Sequence, residues 1–282
     1  MTVKFKRLGL IVVVLCSFSK SFAQLDHHTL SEISSIPNAQ RYFEDCGVDG
    51  TVLVYDALVD KLFASDTVSI FYPSLPASTF KILNSLIALE TGIISDEQHF
   101  VKWSGVTDTV KYGYRPEIYH DMTIEEAFKT SAVWVFLELA HKIGRPNYEK
   151  YLSLCGFGDP SLIAEPLDFW NFGKFEVTPF AQLIFLKRLK HGSLPFSKRN
   201  MDIVKAMMKT EADDAYILYS KTGWTRDNGI NTGWWVGFIE RGERTYIFVS
   251  RFLQSRKNNR NDFGSCRLSI SKAILSELQI IN

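Results

Sequence analysis

The 282 residues carry 46% hydrophobic side chains and a formal charge of +1, enough apolar material for a sizeable core in one or two domains. That near-neutral balance gives no electrostatic footing for a nucleic-acid partner. No C-x-x-C pair occurs, and the six histidines, His27, His28, His99, His120, His141 and His191, lack ligand spacing, so no metal centre is expected.

The chain opens with Lys4, Lys6 and Arg7, continues with an apolar run from Leu8 to Cys16, and reaches Ser21-Phe22-Ala23. This order of basic, apolar and small residues predicts a signal peptide over residues 1–23, cleaved near Ala23 to leave Gln24 first. The apolar run is too short to span a bilayer. No stable membrane insertion is therefore expected, and the mature protein should be periplasmic or secreted. Cys46, Cys155 and Cys266 remain after cleavage, and an odd number leaves at least one thiol free.

Gly50–Asp56 reads as a buried strand from its β-branched run, and Leu62–Ser65 can pair with it across a short polar turn. Pro73 and Pro76 break the chain. A helix is expected from Ser78 to Gly92, anchored by Phe80, Leu83, Leu86 and Leu89. Thr123-Ile124-Glu125-Glu126 reads as a capping box. Further helices are expected over Val133–Ile143, stopped by Gly144, over Thr178–His191, stopped by Gly192, and over Met201–Met208. His141, within the first of these, reads as a packed core histidine.

Strands return over Tyr216–Lys221, and Gly233–Glu240 and Thr245–Arg251 read as a hairpin across Arg241-Gly242-Glu243-Arg244. Trp234 and Trp235 read as core aromatics, Arg251 and the run 256–260 as solvated. Ile270–Leu278 closes the chain as an amphipathic helix. Strands at both ends with helices between predict an α+β fold, its sheet built from both termini around an inserted helical subdomain at roughly 80–200. One catalytic domain then covers 24–282.

The chemistry concentrates in a few segments. Ser78 and Lys81 stand three apart, which on a helix places an amine within reach of a hydroxyl. A serine hydroxyl is a poor nucleophile until a base takes its proton. Alone, S-x-x-K is a weak pattern. Here it is joined by Ser131-Ala132-Val133 at a helix junction, by Asp168-Phe169-Trp170, by Lys221-Thr222-Gly223 at a strand end, and by Trp234-Trp235-Val236-Gly237. S-x-x-K with a later K-T-G marks penicillin-recognising serine enzymes.

Together these motifs make the chain resemble a class D serine β-lactamase, an oxacillinase. Class A relatives would show S-D-N where this chain has Ser131-Ala132-Val133. The resemblance implies an antiparallel sheet flanked by helices, packed against a helical domain, with the site in the cleft between them. It implies a β-lactam substrate, penicillins above all, with Ser78 as the acyl-accepting nucleophile and Ser131 as proton relay to the leaving nitrogen. The amides of Ser78 and Trp224, just after Gly223, would form the oxyanion hole. Lys221, Thr222 and Arg267 would hold the substrate carboxylate, and Val133 and Phe136 would line the pocket.

The resemblance also implies that Lys81 takes up carbon dioxide and works as a carbamate. A buried amine loses its proton readily, and a carbamate supplies an oxygen base for acylation and deacylation. The Trp170 indole would donate to it. No glutamate in these motifs offers an alternative base. Two positions depart from the family pattern. Asp159 follows Phe157-Gly158 where an asparagine is usual, and Asn171 follows Trp170 where a leucine usually shuts out water. A cell-wall transpeptidase or carboxypeptidase and a β-lactam-binding sensor domain share the same acyl-serine motifs.

Overall fold

The computed structural model describes residues 33–281 apart from Pro166, Asn259 and Asn261, so the signal-peptide reading of residues 1–23 lies outside the described residues. The strands are β1 (Ser34–Ser35), β2 (Asp49–Asp56), β3 (Lys61–Ala64), β4 (Phe100–Val101), β5 (Met122–Thr123), β6 (Lys209–Ala212), β7 (Ile217–Asp227), β8 (Ile230–Arg241) and β9 (Arg244–Ser255). Seven of them form one sheet in the order β1-β3-β2-β9-β8-β7-β6. All its pairs are antiparallel except the short β1–β3 pair. The N-terminal β2 thus lies against the C-terminal β9, joining the two ends of the chain, while β4 and β5 form a separate ribbon.

The helices are α1 (Gln40–Cys46), α2 (Lys81–Glu90), α3 (Thr109–Tyr112), α4 (Ile124–Thr130), α5 (Val133–Cys155), α6 (Pro179–His191), α7 (Lys198–Met207) and α8 (Phe263–Glu277). Six of these, α2 to α7, fall between β3 and β6. Gly144 interrupts α5 with φ 72°, and a second helical segment follows through Pro146. Thr178 and Ser197 accept backbone N–H bonds at the starts of α6 and α7. At α4 only half of the expected capping box forms. Thr123 Oγ1 accepts from Glu126 N–H at 3.2 Å, while the Glu126 carboxylate faces His120 Nε2 at 3.4 Å.

Both faces of the sheet are covered, which explains why alternation is invisible in β8. Trp234, Val236 and Phe238 face the helical insertion, whereas Trp235 and Ile239 face α1 and α8. Both tryptophans are core residues, as their sequence suggests. On the second face Cys46, at the end of α1, forms a disulfide with Cys266 of α8, and Cys155 is the free, buried thiol.

Three sequence expectations change. Lys221-Thr222-Gly223 lies in the middle of β7 rather than at its end, with Gly223 opposite Trp234. Arg251 is 2% exposed instead of solvated, because β9 runs on to Ser255 between β2 and β8. Its guanidinium donates to the Tyr72 carbonyl at 2.6 Å and to Ser74 Oγ at 3.3 Å. His141 is exposed, since the buried face of its helix is set by Phe136, Leu139, Ala140 and Ile143.

Candidate active site

The segment before α2 is a single turn of 3₁₀-helix, Ala77–Phe80, rather than the start of a regular α-helix. Ala77 sits at φ 51°, a left-handed conformation costly for a residue with a Cβ. Surrounding groups hold it there. Its N–H donates to the Trp170 carbonyl at 2.8 Å, and the Trp234 indole donates to the Leu75 carbonyl at 2.8 Å. Thr79 Oγ1 donates to Pro76 O and accepts from Gln182 Nε2 of α6. This scaffold presents Ser78 half-buried, with Lys81 Nζ 2.7 Å from its Oγ.

Lys81 is 1% exposed, and its Nζ lies 5.1 Å from the centre of the Phe136 ring. Burial first, then the positive charges of Lys221 and Arg115, hold its pKa well below the usual lysine value. Both causes favour the uncharged amine, the form that can accept a proton. Phe136, expected to touch substrate, has no exposed surface and instead walls the lysine head. Val133, at the first turn of α5, is half-buried.

Across the cleft Ser131 caps α4 in a left-handed conformation, φ 60°. Lys221 Nζ donates to Ser131 Oγ at 3.0 Å and to the Thr222 carbonyl at 3.1 Å, over the Phe128 ring. Burial, followed by Arg267 and Arg115, lowers the Lys221 pKa to about 7. Gly223 explains how β7 comes so close to Ser78. A Cβ there would stand 3.0 Å from Pro76 O and 3.2 Å from Thr79 N, so a side chain would push the strand from the turn that carries Ser78.

Arg267, from the first turns of α8, donates from Nη1 to the Gly223 carbonyl and from Nε to Gly264 O at 3.1 Å. It lies 5.7 Å from the centre of the half-buried Trp224 ring, and burial lowers its pKa to about 10, leaving it charged at neutral pH. Thr222, half-buried, completes the strand edge. The structure thus gathers Ser78, Lys81, Ser131, Lys221, Thr222, Gly223 and Arg267 through a connected set of contacts.

Trp170 is fully buried, stacked on Phe80 at 5.2 Å, and its Nε1 has no hydrogen-bond partner. Asn171, the residue after it, is 7% exposed and accepts at its carbonyl from Thr225 Oγ1 of β7 at 2.5 Å, so it closes the loop against the sheet. Lys81 stays buried despite the missing leucine. Asp159 is exposed, and its carboxylate accepts from Ser161 N–H to cap the turn Pro160–Leu162.

Other contacts of this neighbourhood escape sequence reasoning. Asp168, 3% exposed, is held by Lys111 Nζ at 2.6 Å and by the Tyr112 hydroxyl at 2.6 Å, which ties α3 to the loop carrying Trp170. Arg115 donates to Thr130 O beside Ser131 and adds to the positive field on both lysines. Asn84 and Tyr148, both fully buried, carry polar atoms without partners. Asn84 alone had a signal, a polar residue one turn after Lys81 in an apolar helix.

Residues 57–276 match the family described as the penicillin binding protein transpeptidase domain. The β-lactamase OXA-5 of Pseudomonas aeruginosa is 38% identical over 178 residues, 62% of this chain and 65% of that protein, so this match spans just under two thirds of OXA-5. The probable β-lactamase YbxI of Bacillus subtilis is 31% identical over 97% of this chain and 96% of its own length. Among solved structures, the class D β-lactamase from Sebaldella termitidis superposes with a TM-score of 0.82 and 32% identity, covering 89% of this chain and 99% of that one.

Proposed function

This chain belongs to the class D serine β-lactamase family, and from that premise we propose that it hydrolyses β-lactams, penicillins foremost, through an acyl-serine at Ser78. The carrying observation is the Lys81 amine, buried, depressed in pKa and 2.7 Å from Ser78 Oγ. Lys81, carboxylated as described below, would supply the base that takes the Ser78 proton as Oγ attacks the lactam carbonyl. The Ser78 and Trp224 amides, brought alongside by Gly223, stabilise the oxyanion. Ser131 passes a proton to the leaving nitrogen and recovers one through Lys221. Lys221, Thr222 and Arg267 hold the substrate carboxylate, the guanidinium staying charged throughout.

Deacylation needs a base for water, and the residues around Lys81 fit a carboxylated lysine. The fit rests on the Trp170 Nε1–H, a buried donor with nothing to bond, and on an amine whose charged form burial disfavours. Carbon dioxide bound there supplies a carbamate oxygen as general base. Trp170 would donate to that oxygen, with the indole fixed by its stack on Phe80, and Phe136 and Val133 would keep bulk water away. The same reading places the mature protein outside the cytoplasm, which the Cys46–Cys266 disulfide supports, since such bonds persist in oxidising compartments. Among the described residues no helix is long and apolar enough to cross a membrane.

The test is turnover of a chromogenic cephalosporin with and without bicarbonate, paired with mass spectrometry of the protein after a slow penicillin. Catalytic turnover, bicarbonate stimulation and an adduct on the Ser78 peptide are expected. One equivalent of product without turnover would indicate a sensor or transpeptidase, and an adduct elsewhere would remove Ser78 from the chemistry.

A further inference from the structure

Buried polar atoms without partners are rare, because each forfeits its solvation without recovering a bond. Of the eight such side-chain atoms among the described residues, four belong to Asn84 Nδ2 and Oδ1, Tyr148 Oη and Trp170 Nε1. They are linked by packing. The Tyr148 ring stands 5.9 Å from Phe80 and 5.2 Å from Phe169, and Phe80 stacks on Trp170 at 5.2 Å. The Tyr148 hydroxyl faces the Asn84 side chain without reaching hydrogen-bond geometry. Asn84 itself lies three residues after Lys81 on α2, the spacing that puts two side chains on one face of a helix. All four residues, Lys81 included in place of the second Asn84 atom, are at most 1% exposed.

An amide and an indole N–H with nothing to bond are two donors inside one apolar box, built by Phe80, Phe169 and Tyr148 around the helix that carries the buried Lys81 amine. Such a box would be an error in a core built only for packing. It suits an anion that arrives after folding. When the neutral Lys81 amine bonds the carbon of carbon dioxide, one proton leaves to solvent and a negative charge stays behind. One donor from Trp170 satisfies only part of that carboxylate, which accepts at two oxygens.

We propose that Asn84 is a positioning residue for the carboxylated lysine, its amide N–H supplying a second donor beside Trp170 and its carbonyl oriented by the Tyr148 hydroxyl. The proposal rests on the carbamate reading given above. The Tyr148 hydroxyl, pushed well above its usual pKa by burial, remains a donor at every working pH. In this structure the Asn84 amide N–H is the side that faces the Tyr148 oxygen, since it lowers the tyrosine pKa; a half-turn of the unbonded amide lets Oδ1 accept from that hydroxyl and brings the N–H round to the lysine. A packing role and this role predict opposite effects on stability. Leucine has nearly the shape of asparagine, so Asn84→Leu removes two orphan atoms and leaves stability unchanged or raised, while weakening the hold on the carbamate.

The experiment titrates bicarbonate against activity in the full mature chain and follows ¹³C-labelled carbon dioxide by NMR, for the parent, Asn84→Leu and Tyr148→Phe. Asn84→Leu is expected to need roughly tenfold more bicarbonate for half-maximal activity, the scale of one hydrogen bond to a charged group, with kcat recovered at saturation. Its carbamate signal should fall at ambient carbon dioxide and its melting temperature should not. Tyr148→Phe, which loses only a hydroxyl, should shift the titration by about two- to fivefold, and it decides the matter if the leucine variant does not fold. A parent that shows a carbamate signal while both variants titrate as the parent does overturns the role of Asn84 alone. A parent with neither a signal nor a bicarbonate response overturns the carbamate reading and this inference together.

Discussion

Lys81 and Lys221 stand in facing walls of one cleft, both buried and both depressed in pKa, yet their surroundings differ in kind. Lys221 has two oxygens, Ser131 Oγ and the Thr222 carbonyl, and the strand that carries it is paired with β8 along its whole length. Lys81 has one oxygen, Ser78 Oγ, and otherwise meets the Phe136 ring, in a wall that also buries polar atoms of Asn84, Tyr148 and Trp170 without partners. The strand wall is finished on folding. The helical wall is left unfinished, at a cost of about 1–3 kcal/mol for each orphaned group. Sites that violate local rules of satisfaction are where function is expected to sit.

The sharpest way to break this comparison is to give both lysines the same apolar replacement. Lys81→Met should lower turnover roughly 10²–10⁴-fold, the range for removing a general base, and should leave the melting temperature unchanged or higher. Lys221→Met removes the cation that Ser131 and Thr222 share, and should instead raise KM and lower stability. Steady-state kinetics and thermal melts of the two variants, side by side, decide it. Equal losses of stability in both would erase the distinction between the walls.

Trp170→Phe sharpens the comparison within the helical wall. The ring stack on Phe80 survives and the unpaired donor does not. Deacylation is expected to slow roughly 10–100-fold, matching about 1.5–3 kcal/mol for a hydrogen bond to a charged group. A fast burst followed by a slow steady state, partly restored by bicarbonate, is the expected trace. A variant with parental kinetics would show that the indole N–H is idle. Arg267→Ala probes the strand wall. Because Arg267 already spends donors on Gly223 and Gly264, the substrate receives only what remains, and KM should rise about tenfold with kcat nearly kept.

The Ser78–Lys81 pair and the strand that carries Lys221 could be read from the sequence, because S-x-x-K and K-T-G are short motifs held by local geometry. The sheet built from both termini was legible for the same reason, as β-branched runs flank the helical stretch. Three kinds of feature were not. Strand ends were short by several residues, since β7 to β9 continue through polar positions that the sheet buries on both faces, Arg251 among them. Turn strain at Ala77 has no signature in the sequence, because its neighbours, not its own propensity, hold φ positive. Partners distant in the chain, as Lys111 and Tyr112 are from Asp168, depend on tertiary packing alone.

The smallest effect expected is a pH dependence that separates the walls without mutation. Lys221 has a folded pKa of about 7, depressed by burial and by the charges of Arg267 and Arg115. As pH rises through 7 the ammonium loses its proton, and one of the cations facing the substrate carboxylate goes with it. KM for penicillins should therefore rise a few-fold between pH 6 and 8.5. The stability linkage has the opposite sense. Between pH 7 and the unfolded lysine value near 10.5, the unfolded chain binds more protons at this position than the folded one, so this residue makes stability increase with pH there. Below pH 7 both states are protonated and the contribution is flat. The slope approaches about 1.4 kcal/mol per pH unit in mid-window for one proton. Lys81, depressed for the same leading reason, adds in the same direction. Denaturant melts from pH 6 to 9.5 should show the rise in the parent and a shallower one in Lys221→Met, with the KM trend lost in the variant. If the variant keeps both trends, the proton lost near pH 7 belongs to some other group, and the strand wall does not titrate as its geometry indicates.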